Sequence, residues 1–189
     1  MSVTAQPNAT RWQQAALVVL RVAIGWHFLY EGYVKIIHPE WSAASYLQRA
    51  VGPFAGVFHW MAANHTALRA VDFMNEMGLT AVGLGLIVGL LTRPAAVAGM
   101  FMLALYYLAN PPWIGVLAAP GEGNYLWVDK NLVEFLALAV IVSFDTGKVA
   151  GLDLAFHEWR LRLRARRAAR KQRKTAAGPA PAQEEASSE

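Results

Sequence analysis

Residues 15–37 read AALVVLRVAIGWHFLYEGYVKII. At about 1.5 Å of rise per residue, such a run crosses a hydrocarbon core about 30 Å thick. It nevertheless carries Arg21, His27, Glu31 and Lys35. On a helical wheel with Arg21 at zero, His27 falls at about 240°, Glu31 at about 280° and Lys35 at about 320°. The four ionisable side chains therefore share one face, which must turn away from lipid. Gly25 and Gly32 border that face, where the lack of a side chain lets a second helix come close. His27, Glu31 and Lys35 also form an i, i+4, i+8 ladder with glutamate N-terminal to lysine, the favourable order.

Three further apolar stretches follow, at residues 71–91, 94–109 and 124–144. Thr92, Arg93 and Pro94 read as a tight turn, with proline at a helix start. The expected architecture is an all-α integral membrane protein, a bundle of four transmembrane helices. The stretch between the first two spans is too apolar for an open loop. Residues 41–50 and 53–63 are expected as short amphipathic helices, broken at Gly52 and Pro53, that lie on the interface or cap the bundle. In domain terms, residues 1–14 are expected as a cytoplasmic N-terminal segment, 15–156 as the four-helix membrane domain, and 157–189 as a basic and then disordered cytoplasmic tail.

Composition agrees. The chain has 189 residues, 56% hydrophobic and only 16% charged, with mean hydropathy +0.29. A soluble domain carries about 25% charged residues. The net charge of +4 is unevenly spread: residues 160–174 hold nine Arg or Lys and no acid, whereas residues 1–159 hold eight bases and ten acids. A basic tail on a slightly acidic body argues against a nucleic-acid-binding domain and for a membrane protein whose termini are both cytoplasmic. In a bacterium this is a multi-pass plasma-membrane protein. No cleavable signal peptide is evident. Trp41, Trp60, Tyr106, Tyr107, Trp113, Tyr125 and Trp127 are expected as an aromatic belt at the outer interface.

With this topology, Glu31 and Lys35 on the first span, Asn75 and Glu76 on the second, and Lys130, Asn131 and Glu134 on the fourth arrive at similar depth. A charge at mid-bilayer costs at least about 2.5–3.5 kcal/mol, so each is a candidate for function. One reading makes them ion pairs and snorkelling side chains that hold the bundle together. The other makes them a pocket for a small polar molecule or a quinone headgroup. There Glu31, Glu76, Glu134 and His27 handle protons, and Lys35, Lys130, Asn131 and Arg21 bind substrate. Arg21, near the inner end, is equally readable as a side chain reaching the headgroups. The row Ala81, Gly85 and Gly89 reads as a helix-packing face, for a helix of this chain or of another copy.

No cysteine is present, which removes iron–sulfur ligation and thiol relays from this chain. His27 has no second histidine at its depth, so no haem is expected, and no metal site is evident. Quinone, as substrate or acceptor, is the one cofactor expected.

The stretches LRVAIGWHFLYEGYVKI (20–36), NEMGLTAVGLGLIVGLLTRPA (75–95), YYLANPPWIG (106–115), GEGNYLWVDKNLVE (121–134) and TGKVAGLD (146–153) together resemble the DoxX/DoxD family of small four-helix membrane proteins. The likeness runs from about Leu17 to Phe156 and is nearer the DoxD side, the thiosulfate:quinone oxidoreductase small-subunit type. The resemblance implies work with a quinone pool, oxidation of a small sulfur anion, and a second protein subunit. The competing expectation is a non-catalytic membrane partner, or homo-oligomer, that recruits or stabilises another enzyme. A transporter is a weaker third reading, since no inverted repeat is present.

Overall fold

The computed structural model describes residues 10–112, 124–144, 146–148 and 150–176. Helix α1 (Arg11–Ile37) opens on a reciprocal cap: Gln13 N donates to Thr10 Oγ1 and Thr10 N to Gln13 Oε1. Two short helices follow, α2 (Ala44–Gln48) and α3 (Ala55–Ala63). Asn64 then caps α4 (His65–Val88), its side chain accepting from Ala67 N at 3.0 Å. Gly89, in the left-handed region at φ 68°, ends α4, and α5 (Thr92–Ala109) follows at once. A two-residue hairpin, β1 (Asn124–Tyr125) and β2 (Val128–Asp129), leads into α6 (Lys130–Ser143). A 3₁₀ turn (Thr146–Lys148) connects to the long terminal helix α7 (Leu152–Ala176).

Helix α1 packs on α4, α4 on α5, α5 on α6, and α6 on α1, closing a ring. Each contributes to one core: Ile24 and Phe28 from α1, Leu79, Val82 and Leu86 from α4, Ala96 and Leu103 from α5, Leu138 and Ile141 from α6. The α1–α4 contact is the closest. A Cβ on Gly83 would strike Leu29 N and Gly25 O, and one on Gly32 would strike Thr80, so only hydrogen fits at these crossings. Away from the core the helices expose large apolar side chains: Trp26 and Tyr30 of α1, Phe73 and Leu84 of α4, Phe101 of α5, Leu136 of α6. An apolar exterior on every side of the ring suits lipid and not water. Helices α1 and α4 are long and apolar enough to cross a membrane, whereas α5 and α6, with 18 and 14 residues, are shorter.

One end of the ring, here the capped end, is covered by α2 and α3. Ala43, Leu47, Ala50, Phe58 and Ala109 form a second core there. Asp72 of α4 accepts from Ser42 Oγ at 3.0 Å and Ala43 N at 2.8 Å, and Ala109 O accepts from Val51 N and Gly52 N. Of the two placements expected for these helices, the structure takes the cap. The α4–α5 turn and α7 mark the opposite, tail end.

Several expected boundaries shift. The fourth apolar stretch is not helical from 124: its first six residues make the hairpin, because Asp129 accepts from Leu132 N and so starts the helix after itself. The basic part of the tail continues as helix through Ala176. Residues 1–9, Trp113 and the final stretch from 177 lie outside the described residues. Gly85 and Gly89 pack within this chain, against Ala95 and Gly151, while Ala81 is exposed.

Candidate functional site

At the capped end α1 and α6 bring five ionisable side chains together. Glu31 is the hub. Lys35 Nζ donates to Glu31 Oε2 at 2.8 Å and to Glu31 O at 3.2 Å, the contact that the i, i+4 spacing foretells. Lys130 Nζ lies 3.9 Å from Glu31 Oε1 and His27 Nε2 lies 3.7 Å from the same oxygen. On the other side of the imidazole, Glu134 Oε1 stands 2.7 Å from His27 Nδ1. That contact ties α1 to α6 through an ion pair when the imidazole is protonated, and it lies where Nδ1 is shut off from solvent. His27 is thus held between two carboxylates from different helices. Exposure is graded across the cluster: Lys130 is 63% exposed, Glu31 40% and Glu134 only 19%.

Beneath the cap, a neutral chain of hydrogen bonds runs between α4, α5 and α2. Tyr106 Oη donates to Asn75 Oδ1 at 2.5 Å, Asn75 Nδ2 donates to Val71 O, and Tyr46 Oη donates to Tyr106 O at 3.0 Å. Burial raises the Tyr46 phenol above its ordinary pKa, so it remains a donor. Lys35 also sits 5.2 Å from the Trp41 ring, a cation–π contact that ties α1 to the cap.

Tyr106 was expected in the interfacial belt, but it faces inward. The signal was present in its spacing, since Ala96, Gly99, Leu103 and Tyr106 recur at three and four residues along the buried stripe of α5. Glu76 reaches the right level, its backbone oxygen lying beside Gly32. Among the described residues its carboxylate makes no ion pair, and its backbone oxygen accepts from Thr80 Oγ1 at 2.7 Å. Asn131 turns back to Asp129, donating from Nδ2 to Oδ2 at 2.7 Å, and so braces the α6 cap.

Arg21 is elsewhere. It lies at the tail end, only 2% exposed, where Nη1 donates to Thr146 O at 3.0 Å. It neither joins the capped-end cluster nor extends to solvent. Beside it, Asp153 accepts from Leu91 N at 2.8 Å through Oδ1 and from Thr92 N at 2.9 Å through Oδ2. Asp153 N donates to Gly89 O at 2.8 Å. The first turn of α7 therefore caps the start of α5 from across the chain, which Leu91, in the left-handed region at φ 51°, does not do with its own side chain. Burial would raise the Asp153 pKa, but the N–H groups of Thr92 and Leu91 and the nearby Arg21 outweigh it and hold the carboxyl below its ordinary value. A Cβ on Gly147 would strike Asp153 and Thr92, so this glycine makes the clasp possible.

Residues 16–111, covering α1 to α5, match the model of the DoxX family. No curated protein and no solved structure matches the chain.

Proposed function

The chain belongs to the DoxX family, and from that premise we propose that it is a membrane-embedded subunit of a quinone-linked oxidoreductase that oxidises a small sulfur anion such as thiosulfate. In this reading the ring spans the bilayer four times, in the plasma membrane of a bacterium. The capped end faces outward, and both termini, with the Arg-rich tail, lie in the cytoplasm. The observation that carries the proposal is His27 between Glu31 and Glu134. Reducing a quinone to a quinol takes two electrons and two protons. Two thiosulfate ions joined through a new S–S bond release those two electrons.

The protons are the task of this chain. The partly exposed imidazole of His27 suits a quinone carbonyl oxygen, since Glu134 beside its buried Nδ1 stabilises the imidazolium from behind. Glu31 links His27 to the exposed Lys130 and so to water. Lys35 and Lys130 supply positive charge for an anionic donor, and a headgroup enters sideways from lipid. The electrons pass from donor to quinone directly or through a second subunit.

Quinone reduction by the full chain in nanodiscs, with thiosulfate as donor and decylubiquinone as acceptor, tests the reading. The unmodified protein is expected to turn over, and His27→Ala to lose turnover while keeping its helical content. Full turnover in His27→Ala removes the proposed site. The alternative, a non-catalytic membrane partner or scaffold subunit, is favoured by the contacts of Glu31, whose oxygens already face three cations of its own chain when His27 is protonated. It predicts that His27→Ala lowers stability and the yield of a co-purifying enzyme, with no reaction by this chain to lose.

A further inference from the structure

Helix α7 leaves the bundle with large apolar side chains exposed among its described residues. Its start is fixed by the Asp153 clasp and by packing on the 3₁₀ turn, so it begins where α4 and α5 reach the end of the ring. At about 100° per residue, Leu152, Phe156, Trp159 and Leu163 fall within about 60° of one another. The first three are each about half exposed. Arg160 and Arg162 flank this stripe at about 80° on either side, and Arg164 stands farther round. Leu161 is on the far side, in line with Leu154 of the first turn. The Phe156 and Trp159 rings pack 5.3 Å apart, and the Arg160 guanidinium lies 5.6 Å from the Phe156 ring. Over residues 160–174 the chain carries nine bases and no acid.

We propose that α7 is an anionic-phospholipid-binding helix. It lies along the membrane surface with Leu152, Phe156, Trp159 and Leu163 in the boundary between headgroups and acyl chains, and its arginines on lipid phosphates. Three observations select lipid as the occupant. The stripe is narrow and includes tryptophan, as interfacial helices do. Beyond its first two turns, over residues 160–174, the charge is of one sign, complementary to an anionic leaflet. The clasp tethers α7 to a bundle already in the bilayer, so the lipid surface is within reach before any soluble partner arrives. Asp153 thus serves two ends: it completes the α4–α5 turn and sets where the lipid-binding helix starts.

The absence of cysteine makes a direct test possible. Leu163→Cys, on the stripe, and Ala165→Cys, on the opposite side, each give one site for a nitroxide label. The labelled full chain is placed in nanodiscs of phosphatidylcholine alone or with phosphatidylglycerol added. With phosphatidylglycerol, the label at 163 is expected to lose access to a nickel chelate and gain access to oxygen, while the label at 165 stays open to nickel. In phosphatidylcholine alone, or at high salt, both labels are expected to remain open to nickel. Arg160→Gln, Arg162→Gln and Arg164→Gln combined should remove the protection at 163. Nickel access at 163 in both lipids would overturn the proposal. Equal protection in both lipids would also overturn it, since no anionic recognition would remain. Dipolar broadening between labels would overturn it in favour of a second copy of this chain.

Discussion

At the capped end His27, Glu31, Glu134, Lys35 and Lys130 meet side chain to side chain, whereas at the tail end Arg21 and Asp153 direct their charges onto backbone. The first arrangement is partly open and re-pairable: Glu31 faces three cations, and His27 has a carboxylate on either side. The second is closed. Arg21 Nη1 meets one carbonyl, Asp153 meets two N–H groups, and the groups they satisfy belong to a turn and a helix start that need them. Charges that answer backbone explain themselves as structure. Charges that answer chiefly other side chains, in a chain that belongs in lipid, do not, because a desolvated pair gives little net stability. That difference supports the proposal that function lies at the capped end and a structural clasp at the tail end, and it can be broken by experiment.

The largest effect expected is on turnover. Glu134→Gln keeps the shape of the side chain but removes the negative charge 2.7 Å from His27 Nδ1. Quinone reduction should fall by about 10²–10⁴-fold, the range for losing a positioned acid–base group, with little change in melting temperature. Asp153→Ala should do the reverse. Removing the acceptor of Leu91 N and Thr92 N should cost about 1–2 kcal/mol, as for a lost helix cap, while folded protein turns over normally. Thermal unfolding in nanodiscs alongside the quinone assay reads both. If Glu134→Gln destabilises more than Asp153→Ala, the capped-end cluster is a clamp and the comparison fails.

The clasp also carries a pH signature. The carboxyl of Asp153 is held below its ordinary value of 3.8, so its contribution is complete above that value. The contribution declines as pH falls from there and is gone below the lowered folded value. The stability gap between the unmodified chain and Asp153→Asn should therefore be constant near neutrality and shrink only as pH falls below 3.8. A gap that instead closed while the carboxyl is still ionised would mean that Asp153 does not hold the clasp through its charge.

The capped end was largely legible in the sequence and the tail end was not, for a physical reason. His27, Glu31 and Lys35 lie within eight residues on one helix, so the 3.6-residue period places them together without knowledge of the fold. Their meeting with Glu134 needed only opposite strand directions through a bilayer. Glu76 lies at the expected level, yet helical phase does not say which neighbour a carboxylate meets. The partner of Arg21 is a carbonyl 125 residues away, and a carbonyl leaves no mark in the sequence. The role of Asp153 was hidden likewise, because it caps a helix to which it does not belong. Residues 124–129 continue the apolar pattern of the fourth stretch, and the start signal that separates them from the helix is the capping Asp129.

The smallest expected effect sharpens the comparison most. Lys130 is 63% exposed and 3.9 Å from Glu31 Oε1, so as an ion pair Lys130→Ala should change stability by no more than about 0–1 kcal/mol. If the lysine serves only the bundle, nothing else should move. If it meets an incoming anion, Lys130→Ala should raise the KM for thiosulfate and leave the KM for quinone alone, because the quinone contacts assigned to His27 stay in place. Lys130→Arg should restore the lower value, since the positive charge returns at the same position. A rise in both constants would instead mean that Lys130 acts through Glu31 on His27. The exposed edge of the cluster would then belong to the proton path and not to the donor.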